Sequence, residues 1–230
     1  MAAAPTTTLP AMPVKARRRG SSGRRLLLHD RSLGARLVGG ADEAGRGALA
    51  GPLVAAAVLL EPDALSAAAR RDLARLDDSK RCTALVRERL LPAILAVATR
   101  TAVVVVDAEQ VDREGIHRAN LRALATALDR LAAPRDAVLV SDGFRLPLRR
   151  EHWALVDADE KCAAVAAASI VAKVTRDRLM HDAARAYPAY GFEHHVGYGT
   201  PEHLDALRRY GPSPLHRASF SPCSQLALEL

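Results

Sequence analysis

Two adjacent carboxylates, Asp42 and Glu43, stand just ahead of a Gly45-Arg46-Gly47 turn. Neighbouring acids can hold a hard divalent cation, which takes oxygen ligands. The turn offers bare backbone amides and one guanidinium to a phosphate–sugar backbone. Metal and phosphate contact within one segment point to phosphodiester chemistry. Two more acids stand in comparable places: Asp142 closes an apolar run, and Asp159 precedes a long Ala-rich stretch. Four such charges brought together repel one another and call for divalent cations. An all-oxygen set favours Mg²⁺ or Mn²⁺ over Zn²⁺. Two such ions can activate a water and stabilise the leaving oxygen of a phosphoryl displacement. The alternative for any single Asp is a turn or helix cap, and Asp142 before Gly143 suits a turn as well as a site.

Other segments could assist. Asp77-Asp78-Ser79-Lys80 is a polar loop ending in a cation, suited to touching phosphate or to capping the helix that follows. Ser169, Lys173, Arg176 and Asp177 recur at helical spacing and form one polar stripe, with Lys173 able to pair to Asp177. Tyr198, between Gly197 and Gly199, can stack on a base or sugar or belong to the core. His194 and His195 are adjacent and lack zinc-ligand spacing. His216 and Ser219 suggest a hydrolase triad, but no Gly-x-Ser-x-Gly elbow accompanies them.

The elements that must position these residues follow from periodicity. Residues 37–41 read as a strand entering the acid pair, 53–60 as a buried strand, and 101–106 as a β-branched strand. Residues 137–140 and 153–156 read as two shorter strands. Helical patterns cover 64–76, 83–98, 118–132, 161–185 and 201–209. Strands in a meander, followed by strands alternating with helices, predict an α/β fold with a mixed sheet flanked by helices.

At 230 residues the chain fits one domain with a substantial core, and 3% aromatic content makes that core one of Ala, Val and Leu. No apolar run is long enough for a membrane span. Three widely spaced cysteines, Cys82, Cys162 and Cys223, make neither a zinc set nor a disulfide framework, and suggest free thiols in a reducing cytoplasm. The formal charge of +7 resides in the first 36 residues, which hold eight of the 33 basic residues and one of the 26 acids. The remainder is neutral and must meet nucleic acid through local patches. Residues 1–35 read as a disordered basic arm, 36–222 as the folded domain and 223–230 as a short tail.

Taken in order, Gly-x-Asp-Glu-x-Gly-Arg-Gly, Asp-Ser-Lys, Asp-Gly, an Asp ahead of Ala-Ala-Ser-Ile-Val-Ala-Lys-Val-Thr-Arg-Asp, Tyr-Gly-Phe and Gly-Tyr-Gly-Thr resemble ribonuclease HII over about residues 36–222. Arg46 favours type HII over HIII, which typically has Lys there. The resemblance implies the ribonuclease H-like fold with a helical C-terminal extension. It implies that Asp42, Glu43, Asp142 and Asp159 bind two Mn²⁺ or Mg²⁺ ions, that Gly45, Arg46 and Gly47 sense the ribose 2′-OH, and that Tyr198 stacks on a sugar. With Ser79, Lys80 and Lys173 added, these form the expected substrate-binding set. The implied reaction is cleavage of RNA–DNA hybrids, and of duplex DNA 5′ to an embedded ribonucleotide, by a monomer. The alternative is a non-catalytic hybrid-binding protein of the same fold. Two positions depart from the family pattern: Asp157 stands where a Lys is usual, and Val196 replaces a Lys before Gly197-Tyr198. Both changes remove a cation from the substrate path; Asp157 either weakens substrate attraction or becomes a competing ligand. Residues 225–230, from Gln225 to Leu230, resemble the Gln-Leu-x-Leu peptides that bind the bacterial sliding clamp; a tail packed on the body is the alternative.

Overall fold

The computed structural model describes residues 22–226. Five strands form one mixed sheet: β1 (Val38–Ala44), β2 (Leu53–Leu60), β3 (Arg100–Val106), β4 (Val138–Asp142) and β5 (Trp153–Leu155). Their order across the sheet is β3-β2-β1-β4-β5. β2 runs antiparallel to β1 and β3, while β4 pairs parallel to β1 and β5 parallel to β4. The parallel β1–β4 pairing matches Ala41 with Ser141, so the strand ends carrying Asp42 and Asp142 lie side by side. The sheet thus does what the sequence left open, making neighbours of strands about a hundred residues apart.

Helices cover both faces, which is why every residue of β2 is buried and the strand is apolar throughout rather than alternating. On one face lies α6 (Ala163–Ala186), and on the other α5 (Ile116–Arg130), each at the centre of its own apolar cluster. The run Ala163 to Ala168 is fully buried because small side chains let α6 approach the sheet closely. At Gly40 a Cβ would stand 2.2 Å from the Val165 nitrogen, so helix backbone rests directly on strand backbone.

On the α6 side lie α2 (Ala67–Asp72) and α3 (Ala84–Val97), and on the α5 side lies α4 (Ala108–Glu114). α2 is shorter than the 64–76 helix expected, because Ser66 caps its start and a 3₁₀ turn follows at Leu73–Arg75. α4 has no counterpart in the sequence reading; Asp107 caps it, its side chain accepting from the Gln110 N–H at 2.7 Å. The C-terminal extension contains α7 (Phe192–His195), α8 (Pro201–Tyr210) and α9 (Cys223–Leu226). Among the described residues no helix is long and apolar enough to cross a membrane. Cys82, Cys162 and Cys223 are free and buried, as expected.

One expectation needs correcting. The stretch read as a disordered arm over 1–35 contains a docked helix, α1 (Ser22–Ser32). Leu26 and Leu27 enter the core, and Asp30 is wholly buried. Its two carboxylate oxygens accept the amides of Ala163 and Ala164 at 3.0 and 2.9 Å, closing the otherwise open N-terminus of α6. Arg24, Arg25 and Arg31 gave the segment the composition of a solvated tail, and hid three leucines and one capping acid. Residues 1–21, and residues 227–230 of the expected tail, lie outside the described residues.

Candidate active site

The four expected carboxylates come from three adjoining places. Asp42 and Glu43 lie in β1, Asp142 ends β4, and Asp159 sits in a 3₁₀ turn (Ala158–Glu160) that leads into α6. Asp42 and Asp159 are 7% and 6% exposed, deep for acids. Local hydrogen bonds fix two of them: Asp42 Oδ1 accepts from the Glu43 N–H, and Asp142 Oδ1 from the Ala158 N–H, both at 2.7 Å. The second bond ties the end of β4 to the turn carrying Asp159.

All four carboxylates are pushed above the ordinary range, first by burial. For Asp42 the charges of Glu43 and Asp142 add to burial, and the Ser169 hydroxyl opposes it. For Glu43, Asn120 and Arg46 favour the charged form against burial and Asp142. Asp142 is raised further by Asp157 and Asp78, while the Ala158 amide and Lys80 oppose. Asp159 reaches about 7, burial leading and then the charges of Asp78 and Asp142. Lys80 answers the cluster. Burial disfavours its charge, yet Asp78, Asp42, Asp159 and Asp142 hold its pKa up.

Among the described residues no three His, Cys, Asp or Glu side chains stand at metal-ligand spacing. The four acids are electrostatic neighbours rather than a closed cage, as unneutralised like charges are expected to be. The donor chemistry fits hard divalent ions: among the described residues every donor is a carboxylate oxygen, and burial, followed by the acids' mutual repulsion, disfavours their charged forms.

The Gly45-Arg46-Gly47 turn leaves the end of β1. Gly45 is in the left-handed region at φ +89°, and a Cβ there would collide with the Arg176 guanidinium, 1.9 Å from Nε. Gly47 faces open space, with nothing within 4 Å of a Cβ position. The two glycines therefore serve different ends, one for packing and one for access. Arg46 stacks its guanidinium 4.7 Å from the centre of the Phe144 ring, just past Asp142. Two buried arginines support the turn and its surroundings. Arg176 donates to the carbonyls of Ala50, Pro52 and Val196, and its guanidinium carbon lies 5.2 Å from the Tyr198 ring centre. Arg217 donates to the carbonyls of Gly45, Arg46 and Gly51.

The remaining expected residues fall into two groups. Lys80 is exposed beside the acids and Tyr198 is half-buried near the turn, both open to a substrate. Ser79 is 5% exposed, and its hydroxyl shares a 2.8 Å hydrogen bond with that of Ser169, which itself lies against Asp42. Its hydroxyl faces the protein and accepts from Ser169. Lys173 forms the helical pair with Asp177 at 2.5 Å while lying 5.6 Å from the Tyr198 ring centre. Asp157 is exposed and in left-handed conformation, and it acts on Asp142 by its charge. Val196 contributes its carbonyl to Arg176.

Residues that sequence reasoning did not single out include Asp78, Asn120, Phe144 and Arg217. Asn120 is fully buried on α5 with its carboxamide toward Glu43, though neither amide atom completes a hydrogen bond of full geometric quality. Asp78 carried a signal in its Asp-Asp-Ser-Lys loop; Arg217, in an aperiodic segment, carried none. A concavity of about 720 Å³ lies at the other end of β4 and β5 beside Arg135, Arg149 and Trp153. None of the four acids lines it.

The comparisons agree with this geometry. A family model described as ribonuclease HII matches residues 39–223. The chain is 45% identical over 217 residues to a ribonuclease HII of Geobacillus kaustophilus, covering 92% of this chain and 80% of that one. It is 51% identical over 185 residues to one of Azorhizobium caulinodans, covering 80% and 68%. Its fold matches the ribonuclease H2 of Pyrococcus horikoshii with a TM-score of 0.70 at 25% identity, over 84% of this chain and 98% of that chain. It also matches an Archaeoglobus fulgidus structure, that of a complex of RNase HII with PCNA, with a TM-score of 0.66 at 26% identity, over 80% and 95%. With its motifs in order and its acids gathered at one end of a mixed sheet, the chain belongs to the ribonuclease HII family, endonucleases that act on RNA–DNA hybrids.

Proposed function

We propose that the protein cleaves the RNA strand of RNA–DNA hybrids and nicks duplex DNA on the 5′ side of an embedded ribonucleotide, leaving 3′-OH and 5′-phosphate ends. The observation that carries this is the juxtaposition of four neighbouring carboxylates on β1, β4 and the turn before α6 with an exposed Gly47 turn. Asp42, Glu43, Asp142 and Asp159 would hold two divalent ions, Mn²⁺ or Mg²⁺. Such ions, when bound, supply an activated water and stabilise the leaving oxygen. The chain's own residues do the rest. Arg46, braced on Phe144, pairs with a phosphate, and Lys80 adds a cation beside the acids. The amides of the turn meet the ribose 2′-OH, the one group that marks a ribonucleotide within DNA. Tyr198 stacks on the neighbouring sugar.

The test is cleavage by the purified protein, with Mn²⁺, of duplex DNA carrying a single ribonucleotide, beside an all-DNA control. A nick 5′ to the ribonucleotide is expected; an intact ribonucleotide-containing strand refutes the reading. The Archaeoglobus structure pairs an RNase HII with a clamp, and Gln225 is exposed here, so residues 225–230 are proposed as a clamp-binding peptide. A clamp pull-down that survives deletion of those residues refutes it.

A further inference from the structure

Arg217 is wholly buried in the segment after α8, and its hydrogen-bond acceptors are all main-chain carbonyls. Nη2 donates to Gly45 O at 2.7 Å, Nη1 to Arg46 O at 2.9 Å, and Nε to Gly51 O at 3.2 Å. Among the described residues no carboxylate pairs with it. Burial, then the charge of Arg176, lowers its pKa to about 10, so it stays protonated at neutral pH. A buried cation bonded only to carbonyls is an expensive arrangement, and removing one partner of it is costly.

Peptide geometry gives the arrangement a purpose. In a trans peptide the C=O and N–H point in opposite directions, and the one cis bond among the described residues is Ser221-Pro222. Drawing Gly45 O inward turns the Arg46 N–H outward, and drawing Arg46 O inward turns the Gly47 N–H outward. Neither N–H has a backbone acceptor among the described residues. Hydrogen bonding of these carbonyls to a cation also polarises each peptide and strengthens its N–H as a donor. The segment carrying Arg217 is itself anchored. The Arg217 N–H donates to Leu49 O at 2.8 Å, and Asp112 accepts the amides of Ala218 and Ser219 at 2.7 and 3.0 Å.

We infer that Arg217 is the positioning residue for ribonucleotide recognition: from behind the turn it aims the Arg46 and Gly47 amides at the ribose 2′-OH and the adjoining phosphate. The inference rests on the reading given under Proposed function. It assigns selectivity to a side chain that never touches the substrate, and distinguishes aim from charge.

The experiment measures the affinity of an uncut complex, in an Asp142→Asn background, for duplex DNA with one ribonucleotide and for the same duplex in all-DNA form. Arg217→Lys keeps the charge but cannot span both carbonyls. The ratio of the two affinities is expected to fall about tenfold, the size of one or two lost hydrogen bonds, with all-DNA affinity unchanged. An unchanged ratio, or equal loss on both duplexes, overturns the inference. Should Arg217→Lys fail to fold, Asp112→Asn decides: it loosens the anchor from the half-buried side, and must lower the ratio in the same sense. A parent protein that shows no preference for the ribonucleotide overturns the proposed function instead, which keeps the two failures apart.

Discussion

Replacing Asp30 by Ala tests the most consequential departure from the sequence reading. The carboxylate is fully buried and accepts two main-chain amides at the start of a 24-residue helix. Losing an N-cap costs about 0.5–2 kcal/mol, and each hydrogen bond to a charged group contributes about 1.5–3 kcal/mol. Part of that is offset because a buried charge no longer has to be desolvated. The net expectation is a loss of about 3 kcal/mol, to which the helix dipole contributes at its N-terminus. For a domain of this size 1 kcal/mol moves Tm by about 2–4 °C, so Asp30→Ala should melt about 6–12 °C below the parent. Asp30→Asn keeps one acceptor and should lose about 1 kcal/mol. Thermal unfolding by circular dichroism, backed by urea titration, reads both. An Asp30→Ala protein melting within about 2 °C of the parent would refute the docking of α1, and with it the correction to the domain boundary.

Three further outcomes are expected. Asp142→Asn should abolish Mn²⁺-dependent cleavage while leaving hybrid binding in a gel-shift assay; retained activity removes Asp142 from the site. Gly47→Ala should melt like the parent but raise KM, since its Cβ enters open space where substrate must approach, whereas Gly45→Ala should lower Tm by driving a methyl into Arg176; matching melts for the two would contradict the division of labour. The pH dependence follows from His216, lowered from 6.5 to about 4 by burial and then by the charge of His203. Its folded pKa lies below its unfolded one, so its contribution is complete above pH 6.5 and is lost as pH falls toward 4. Tm should fall over that window, and His216→Gln should flatten the slope; an unaltered slope would count against a neutral imidazole at that position.

What the sequence made legible was set by how local the signal was. The β-branched and apolar runs gave five strands, because buried strands need continuous apolar sequence. The acids were readable because each stands near the end of an apolar run or ahead of a helix. Their adjacency was not, since the parallel β1–β4 pairing is a long-range fact that no window contains. α4 was missed because its pattern is short, and its cap, Asp107, resembles any turn acid. α1 was missed because arginines dominated the composition while the partners of Leu26, Leu27 and Asp30 lie far along the chain. Arg217 shows the same limit: its bond to Gly45 O spans 172 positions.

The bare contact between Gly40 and the first turn of α6 has a consequence for the spacing of the acids. Asp42 lies two residues past Gly40, and Asp159 only a few before the Val165 nitrogen that rests on it. Between these two reference points there is no side chain, hence no rotamer to flip and no methyl to trim or add. Elsewhere in the core, the gap between two elements can be retuned by exchanging one residue for a larger or smaller one. Here the gap is already at its minimum, a mechanical stop. The separation of the main-chain segments that carry Asp42 and Asp159 is therefore set by main-chain atoms, and substitution can open it but never close it.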